Sequence, residues 1–208
     1  MSEFKDAQLF GGAITARVPV DFRDASDFRE VPDHQEVYVS MTDGVEISII
    51  FDIAQRVEAP AGPSDAEAVD FHFEDVAVDQ GRTAKIWSKN VVYLPNLLDH
   101  PSYQVIGTVS ARPTDVPTIP PTFTAILMTI VRLEKQTTDI VITINVPFND
   151  PSVVATEKCI ASPVYQGNDI NPANGHKSEL LAFGMEVTAE VVESFRIINW
   201  GLFVIEEE

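Results

Sequence analysis

Two long apolar runs constrain this chain more than any other feature of it. Phe123–Leu133 and Asp139–Val146 are rich in β-branched and apolar residues, and only Glu134-Lys135-Gln136-Thr137-Thr138 separates them. Both fall well short of the ~20 residues that a membrane-spanning helix requires. A five-residue connection instead returns the second run alongside the first, and strands joined this way pair antiparallel. Continuous apolar runs, as opposed to strict alternation, belong to strands covered on both faces.

The rest of the chain supplies more strands and a few helices. Ala13–Val20, Glu36–Met41, Val45–Ile53, Thr83–Lys89 and Tyr103–Ala111 read as strands, the last two by period-two alternation. Asp24-Ala25-Ser26-Asp27-Phe28-Arg29 opens with capping residues and predicts one or two helical turns. A helix is expected from Ser64 or Asp65 to Asp75, after the loop Ala59-Pro60-Ala61-Gly62-Pro63, with Asp65 as N-cap and Ala66, Val69 and Phe73 on one stripe. The longest helix is expected over Lys177–Phe195. Leu180, Phe183, Gly184, Val187 and Val191 line its inner face, Leu181, Met185 and Val192 lie beside them, and Glu179, Glu186, Glu190 and Glu193 lie largely away. Arg112–Pro121 holds four prolines, and residues 147–176 form a long polar connector in which Ser152–Lys158 is a candidate helix. No internal repeat or interdomain linker interrupts this pattern. The expectation is one α+β domain spanning residues 1–208, a mostly antiparallel sheet covered by helices on both faces.

Composition narrows the function. The chain has 208 residues, 45% hydrophobic and 22% charged, which is globular and long enough to bury a core without staples. Its formal net charge is −18. Phosphate backbones and anionic membrane surfaces repel such a chain, so neither nucleic acid nor membrane is an expected partner. The charge is also uneven. Residues 1–80 hold 18 carboxylates against 5 basic residues, a net of −13, and residues 81–208 hold 14 against 9, a net of −5. A field of this kind either aids solubility or steers a basic partner. Cys159 is the single cysteine, so no intramolecular disulfide can form. Met1–Phe10 has no basic stretch followed by an apolar core, so no secretory signal is read there and a reducing intracellular compartment is expected.

Enzyme chemistry finds no positive support. His34, His72, His100 and His176 lack the spacing of a zinc helix, and Cys159 has no cysteine partner and no nucleophile signature. There is no nucleophile elbow, P-loop or dinucleotide-binding turn. Gly11-Gly12 reads as a bulge or a close backbone approach. His72-Phe73-Glu74-Asp75 offers metal-ligand types, but a helix-end histidine satisfied by a neighbour is the plainer reading. No cofactor and no metal are expected. Two acidic segments stand out instead. In Arg29–Val39, Pro32 fixes an extended turn, and Asp33 and Glu36 flank the entry to a strand. The plain alternatives are a turn-forming Asp33 and an exposed strand-edge Glu36. In Asp65–Asp75, Asp70 and Glu74 lie four apart on one helical face, an arrangement that costs a few tenths of a kcal/mol and hints at a partner, a solvated helix face being the plain alternative.

These segments carry a resemblance. Leu9-Phe10-Gly11-Gly12-Ala13, Asp24-Ala25-Ser26 and Arg29-Glu30-Val31-Pro32-Asp33-His34-Gln35-Glu36-Val37-Tyr38-Val39 resemble the signature of the Ran guanine-nucleotide release factors, the Mog-one family of nuclear-import factors. Phe71-His72-Phe73-Glu74-Asp75 with Gln80-Gly81, Ile130-Val131-Arg132-Leu133, and Thr138–Pro147 follow in the same order. The match spans roughly residues 8–147; beyond it, the last helix and Ile197–Phe203 match by pattern. The resemblance implies an α/β/α sandwich shared with the photosystem extrinsic protein PsbP. It implies a non-catalytic regulator that binds the small GTPase Ran, releases its guanine nucleotide and supports nuclear protein import, located in the nucleus and also the cytoplasm. Family positions of the Ran-binding surface fall on Asp33 and Glu36, with Pro32 and Gln35 in the same segment. Asp70, Glu74 and Asp75 are expected to add longer-range attraction, and a monomer is expected. The rival readings are a PsbP-like structural adaptor without nucleotide-release activity and a small hydrolase, which needs a nucleophile and a base in one cleft.

Overall fold

A computed structural model describes residues 2–40, 46–57, 65–77, 84–110, 123–148 and 179–203. The readings of the loops at 59–64 and 113–121, of a helix at Ser152–Lys158, and of Cys159 and His176 fall outside these residues. In chain order the strands are β1 (Phe4–Leu9), β2 (Ile14–Pro19), β3 (Phe22–Asp24), β4 (Gln35–Ser40) and β5 (Ser48–Gln55). Helix α1 (Asp65–Ala77) follows, then β6 (Ala84–Val92), β7 (Ser102–Ser110), β8 (Phe123–Leu133) and β9 (Thr138–Phe148). Helix α2 (Glu179–Ser194) leads into the two-residue strand β10 (Arg196–Ile197).

The hairpin that the apolar runs require is the centre of the molecule. β8 and β9 pair antiparallel from Phe123↔Phe148 to Leu133↔Thr138. Their connection is a 3-10 turn at Glu134–Gln136 closed by Thr137 in the left-handed region, so Thr138 belongs to the strand, not to the loop. Around this pair stands a seven-stranded sheet in the order β3-β4-β5-β9-β8-β7-β6, with every neighbouring pair antiparallel. A second, three-stranded sheet has the order β1-β2-β10. The sequence pattern did not mark β1, β3 or β10.

Helices cover both faces, as expected. On one face α2 and the small sheet pack over β8 and β9, burying Leu181, Val187, Val191 and Phe195 against Leu127, Ile142, Ile144 and Val146. Gly184 permits the close approach of α2: a Cβ there would lie 2.6 Å from Val146 Cγ2 and 3.2 Å from Leu127 Cδ1. On the other face α1 lays Val69 and Phe73 on Val105, Val109, Ile126 and Met128. The Phe73 ring occupies the space a side chain at Gly107 would fill. Among the described residues, no helix is long and apolar enough to cross a membrane.

Candidate docking surface

The segment Pro32–Tyr38 is positioned by a turn and then by sheet register. Gln35 N–H donates to Pro32 O at 2.8 Å, and Ile53 N–H donates to His34 O at 2.9 Å. Pro32, Asp33 and His34 are therefore held at an exposed tip where β4 begins. β3 pairs only with Tyr38–Ser40, so it does not flank Gln35–Val37. Strand alternation then sends Gln35 and Glu36 to opposite faces of the sheet. Gln35 Nε2 donates to Asp52 Oδ2 at 3.2 Å on the α1 side. Glu36 points with Tyr38 toward the layer of β1 and β2, where its Oε1 accepts from Phe10 N–H at 2.6 Å.

That bond explains the double glycine. Phe10–Gly12 forms a 3-10 turn joining β1 to β2, with φ of 50°, 63° and 87° at Phe10, Gly11 and Gly12. Gly11-Gly12 is thus a reversal between two strands, not a bulge within one, and glycine adopts these angles without a Cβ penalty. Phe10 has no such freedom, and the Glu36 carboxylate satisfies its N–H.

The surroundings of Glu36 are acidic. Burial pushes its carboxyl above the ordinary value; the Phe10 N–H opposes this, and the charge on Asp24 adds to it. The Tyr38 hydroxyl is pushed up to about 12 by burial, then by Asp24, Glu36 and Asp27. Three carboxylates therefore face one phenol. Asp24 is the register partner of Tyr38 and also accepts from Ser26 N–H at 2.8 Å, capping the 3-10 turn Ala25–Asp27. In the sequence Asp24 and Asp27 belong to a short helical segment that opens with capping residues; their nearness to Tyr38 depends on β3 pairing with β4. Among the described residues, no Lys or Arg makes an ion pair with Asp24, Asp27, Asp33 or Glu36.

The carboxylates of α1 lie elsewhere. Asp70 Oδ1 sits 2.7 Å from Lys89 Nζ of β6, which also donates to Ala66 O at 3.1 Å. The like-charge spacing of Asp70 and Glu74 is thus compensated inside the molecule. Glu74 and Asp75 are exposed. Asp75 and Gln35 line the same half-open groove of about 460 Å³, with Glu46 and Asp52 at its polar side and Ile50 and Val141 among its apolar walls. Burial raises the Asp52 carboxyl there; the Gln35 hydrogen bond and the fields of His34 and His72 oppose the rise, and Asp75 adds to it. The seven acidic-segment residues are therefore divided. Pro32 and Asp33 form the tip, Glu36 faces the β1–β2 turn, Gln35 and Asp75 share a groove on the opposite face, and Asp70 and Glu74 lie along α1.

His72 sits within α1, not at its end, and is buried. Its Nε2 lies 2.9 Å from Asp139 Oδ2, and Asp139 and Arg132 are 0% and 1% exposed. The register of the central hairpin sets Arg132 opposite Asp139, with Arg132 Nε 3.1 Å from Asp139 Oδ1. Val57 N–H donates to Asp139 Oδ2 at 3.0 Å, and Arg132 Nη2 donates to Val57 O at 2.9 Å. With His72, Arg132 and Asp139 buried, this network ties α1 and the segment just after β5 to the hairpin. Among the described residues, no group of three or more His, Cys, Asp or Glu side chains could hold a metal ion.

Comparison with known proteins agrees with this architecture. The family model described as "Ran-interacting Mog1 protein" matches residues 7–147. Nuclear import protein MOG1 of Saccharomyces cerevisiae is 32% identical over 96% of this chain and 84% of its own length. A probable ran guanine nucleotide release factor of Dictyostelium discoideum is 31% identical over 98% and 99% of the two chains. The crystal structure of the S. cerevisiae Ran-binding protein Mog1p superposes with a TM-score of 0.67 at 25% identity, covering 98% of this chain and all of that one. The antiparallel sheet between α1 and α2 is accordingly the mixed α+β sandwich of the Mog1 structures. The chain belongs to the Ran-interacting Mog1 family.

Proposed function

We propose that this protein binds the small GTPase Ran through the acidic rim around Glu36 and promotes release of its guanine nucleotide. Relatives are named as a nuclear import protein and as Ran guanine nucleotide release factors, and a similar structure is described as Ran-binding. The observation that carries the reading is that Asp33 is exposed and Glu36 half-buried at the rim of β4, with no Lys or Arg among the described residues in an ion pair with either. A rim of this kind offers charge-assisted contacts to Lys or Arg of a partner and steers its approach. Asp24 and Asp27 enlarge the field, and Asp75 and Glu74 act at longer range.

Nucleotide release requires differential affinity. The protein must bind nucleotide-free Ran more tightly than loaded Ran, because equal affinity shifts no equilibrium. Bound nucleotide then weakens this protein's grip by the same factor. The whole chain acts as one non-catalytic, monomeric module in nuclear import, working in the nucleus and the cytoplasm without cofactor, nucleic acid or membrane. The test is release of a labelled guanine nucleotide from purified Ran at low and high salt. Acceleration that weakens with salt, and that Asp33→Ala and Glu36→Ala abolish, supports the proposal. Binding without acceleration would favour an interaction module without release activity, and no binding would overturn the Ran reading.

A further inference from the structure

We infer that Leu98, His100, Ile198 and Trp200 form the apolar half of the same docking surface, the part that a GTPase partner buries beside the acidic rim. The inference rests on the Ran reading and extends it from charge to packing.

The acidic rim and this patch are joined by a short chain of hydrogen bonds. Glu36 accepts from Phe10 N–H, and the turn that Phe10 opens ends at Ala13. Ala13 O accepts from both Ile198 N–H at 2.8 Å and Asn199 N–H at 3.0 Å. Asn199 Oδ1 accepts from Gly201 N–H at 2.9 Å, which fixes the turn that presents Trp200. The Trp200 ring stacks on His100, with centroids 5.5 Å apart and planes 29° apart. His100 N–H donates to Leu97 O at 3.0 Å, which places Leu98 in the same turn.

The exposure is built into the fold. Leu98 is 65% exposed, Ile198 60% and Trp200 39%. Yet the segments that carry them are anchored. Leu94 and Leu97 of the same segment are buried in the core, and Asn96 Nδ2 donates to the Phe195 and Glu193 carbonyls at the end of α2. Three large apolar side chains held rigidly in water are unusual where nothing covers them. Rigid aromatic and aliphatic anchors ringed by charge are how affinity is concentrated in protein interfaces, and their preorganisation removes the ordering cost. Exposed Asp99 adjoins Leu98, and exposed Glu193 shares the Asn96 side chain with Phe195, while exposed Arg196 lies two residues before Ile198; the border is mixed with an acidic excess, and the complementary surface is apolar at its centre.

The experiment measures Ran binding across a salt series for the full chain and for Leu98→Ser, Ile198→Ser, Trp200→Ala, Asp33→Ala and Glu36→Ala. Thermal melts check that each variant folds, and exposed Leu98 and Ile198 serve as variants with little role in the core. The expected result is an affinity loss of tenfold or more for Leu98→Ser and Trp200→Ala with an unchanged salt slope. The acidic variants should lose affinity and flatten the slope. If the apolar variants bind like the parent while the acidic ones do not, this inference is overturned and the acidic rim stands. If the parent protein itself does not bind Ran, the underlying reading fails. If the parent dimerises in sedimentation and Leu98→Ser abolishes that dimer without affecting Ran binding, the patch is a self-interface and the inference is also overturned.

Discussion

The carboxylate of Glu36 and the backbone N–H of Phe10 are joined by a 2.6 Å hydrogen bond, which makes one side chain both a support for a left-handed turn and a member of the exposed rim. These two roles pull against each other. Burial and the charge on Asp24 raise the Glu36 carboxyl, so the folded state disfavours its ionised form. A carboxyl raised by folding contributes its stability below the ordinary value of 4.5 and loses it as pH climbs through the folded value.

Glu36→Gln should therefore separate stability from binding. The amide oxygen keeps the bond to Phe10 and removes the charge. Near pH 7 the variant should melt about 1–3 °C above the parent, equivalent to under about 1 kcal/mol in a domain of this size. The gap should narrow as pH falls and the parent carboxyl, raised by folding, takes up its proton. Ran affinity should fall at the same time. Differential scanning calorimetry over pH 5–8 reads the first effect, and a variant less stable than the parent at pH 7 would contradict it.

Asp139 is the keystone of the buried network. Asp139→Asn takes from the buried Arg132 guanidinium its buried counter-charge and leaves it only Asp65, a partly exposed carboxylate 3.7 Å from Arg132 Nε; removal of one partner from a buried pair costs about 3–5 kcal/mol. Arg132→Met in the same background should recover a large part of that loss, because no charge is then left uncompensated. Urea denaturation of the two single variants and the double variant measures the coupling. Strictly additive losses would mean that the two side chains do not depend on each other.

Much of this architecture is legible from residues alone, and the reasons it stops are specific. The apolar runs at 123–133 and 139–146 announce the central hairpin because both faces of β8 and β9 are covered. β1 escapes notice because only Ala7 and Leu9 of Phe4–Leu9 are buried, too thin an alternation to register. The Arg132–Asp139 pair was within reach. A five-residue loop sets Leu133 against Asp139, whereas the actual turn pairs Leu133 with Thr138 and brings Arg132 opposite Asp139. A slip of one residue changes which side chains meet and which face they occupy. In the candidate site, the exposed placing of Asp33 follows from the Pro32 turn. The roles of Asp24 and Asp27 do not, since only the pairing of β3 with β4 brings them to Tyr38.

Gly184 offers a test of how closely α2 lies on the sheet. Alanine is ordinarily better than glycine inside a helix by about 1 kcal/mol. Here the added methyl would meet Val146 Cγ2 at 2.6 Å, and overpacking of this kind costs about 1–3 kcal/mol. Gly184→Ala should therefore destabilise the parent protein. In a Val146→Ala background the same change should be neutral or stabilising, because the obstructing methyl is gone. A thermodynamic cycle of the four proteins reads this sign change. A gain in both backgrounds would place α2 farther from β9 than the structure has it, and the same cost in both would put the obstruction at Leu127 instead of Val146.

Asp70 and Asp33 separate carboxylates already answered within the fold from those left open to a partner. Asp70 has Lys89 at 2.7 Å, and both side chains are partly exposed, so solvent screens the pair and its loss costs at most about 1 kcal/mol. Asp70→Asn should accordingly change Ran affinity and the melting temperature little. Asp33→Asn should leave the melting temperature unchanged and weaken Ran binding strongly, by the ~2–5 kcal/mol typical when a buried interfacial charge loses its partner. Lys89→Ala completes the comparison: it frees the Asp70 charge, raises the negative field along α1, and should speed association at low salt without slowing dissociation. Stopped-flow association at two ionic strengths measures this directly. If Asp70→Asn proves as damaging as Asp33→Asn, the contact surface extends along α1 and is not confined to the rim of β4.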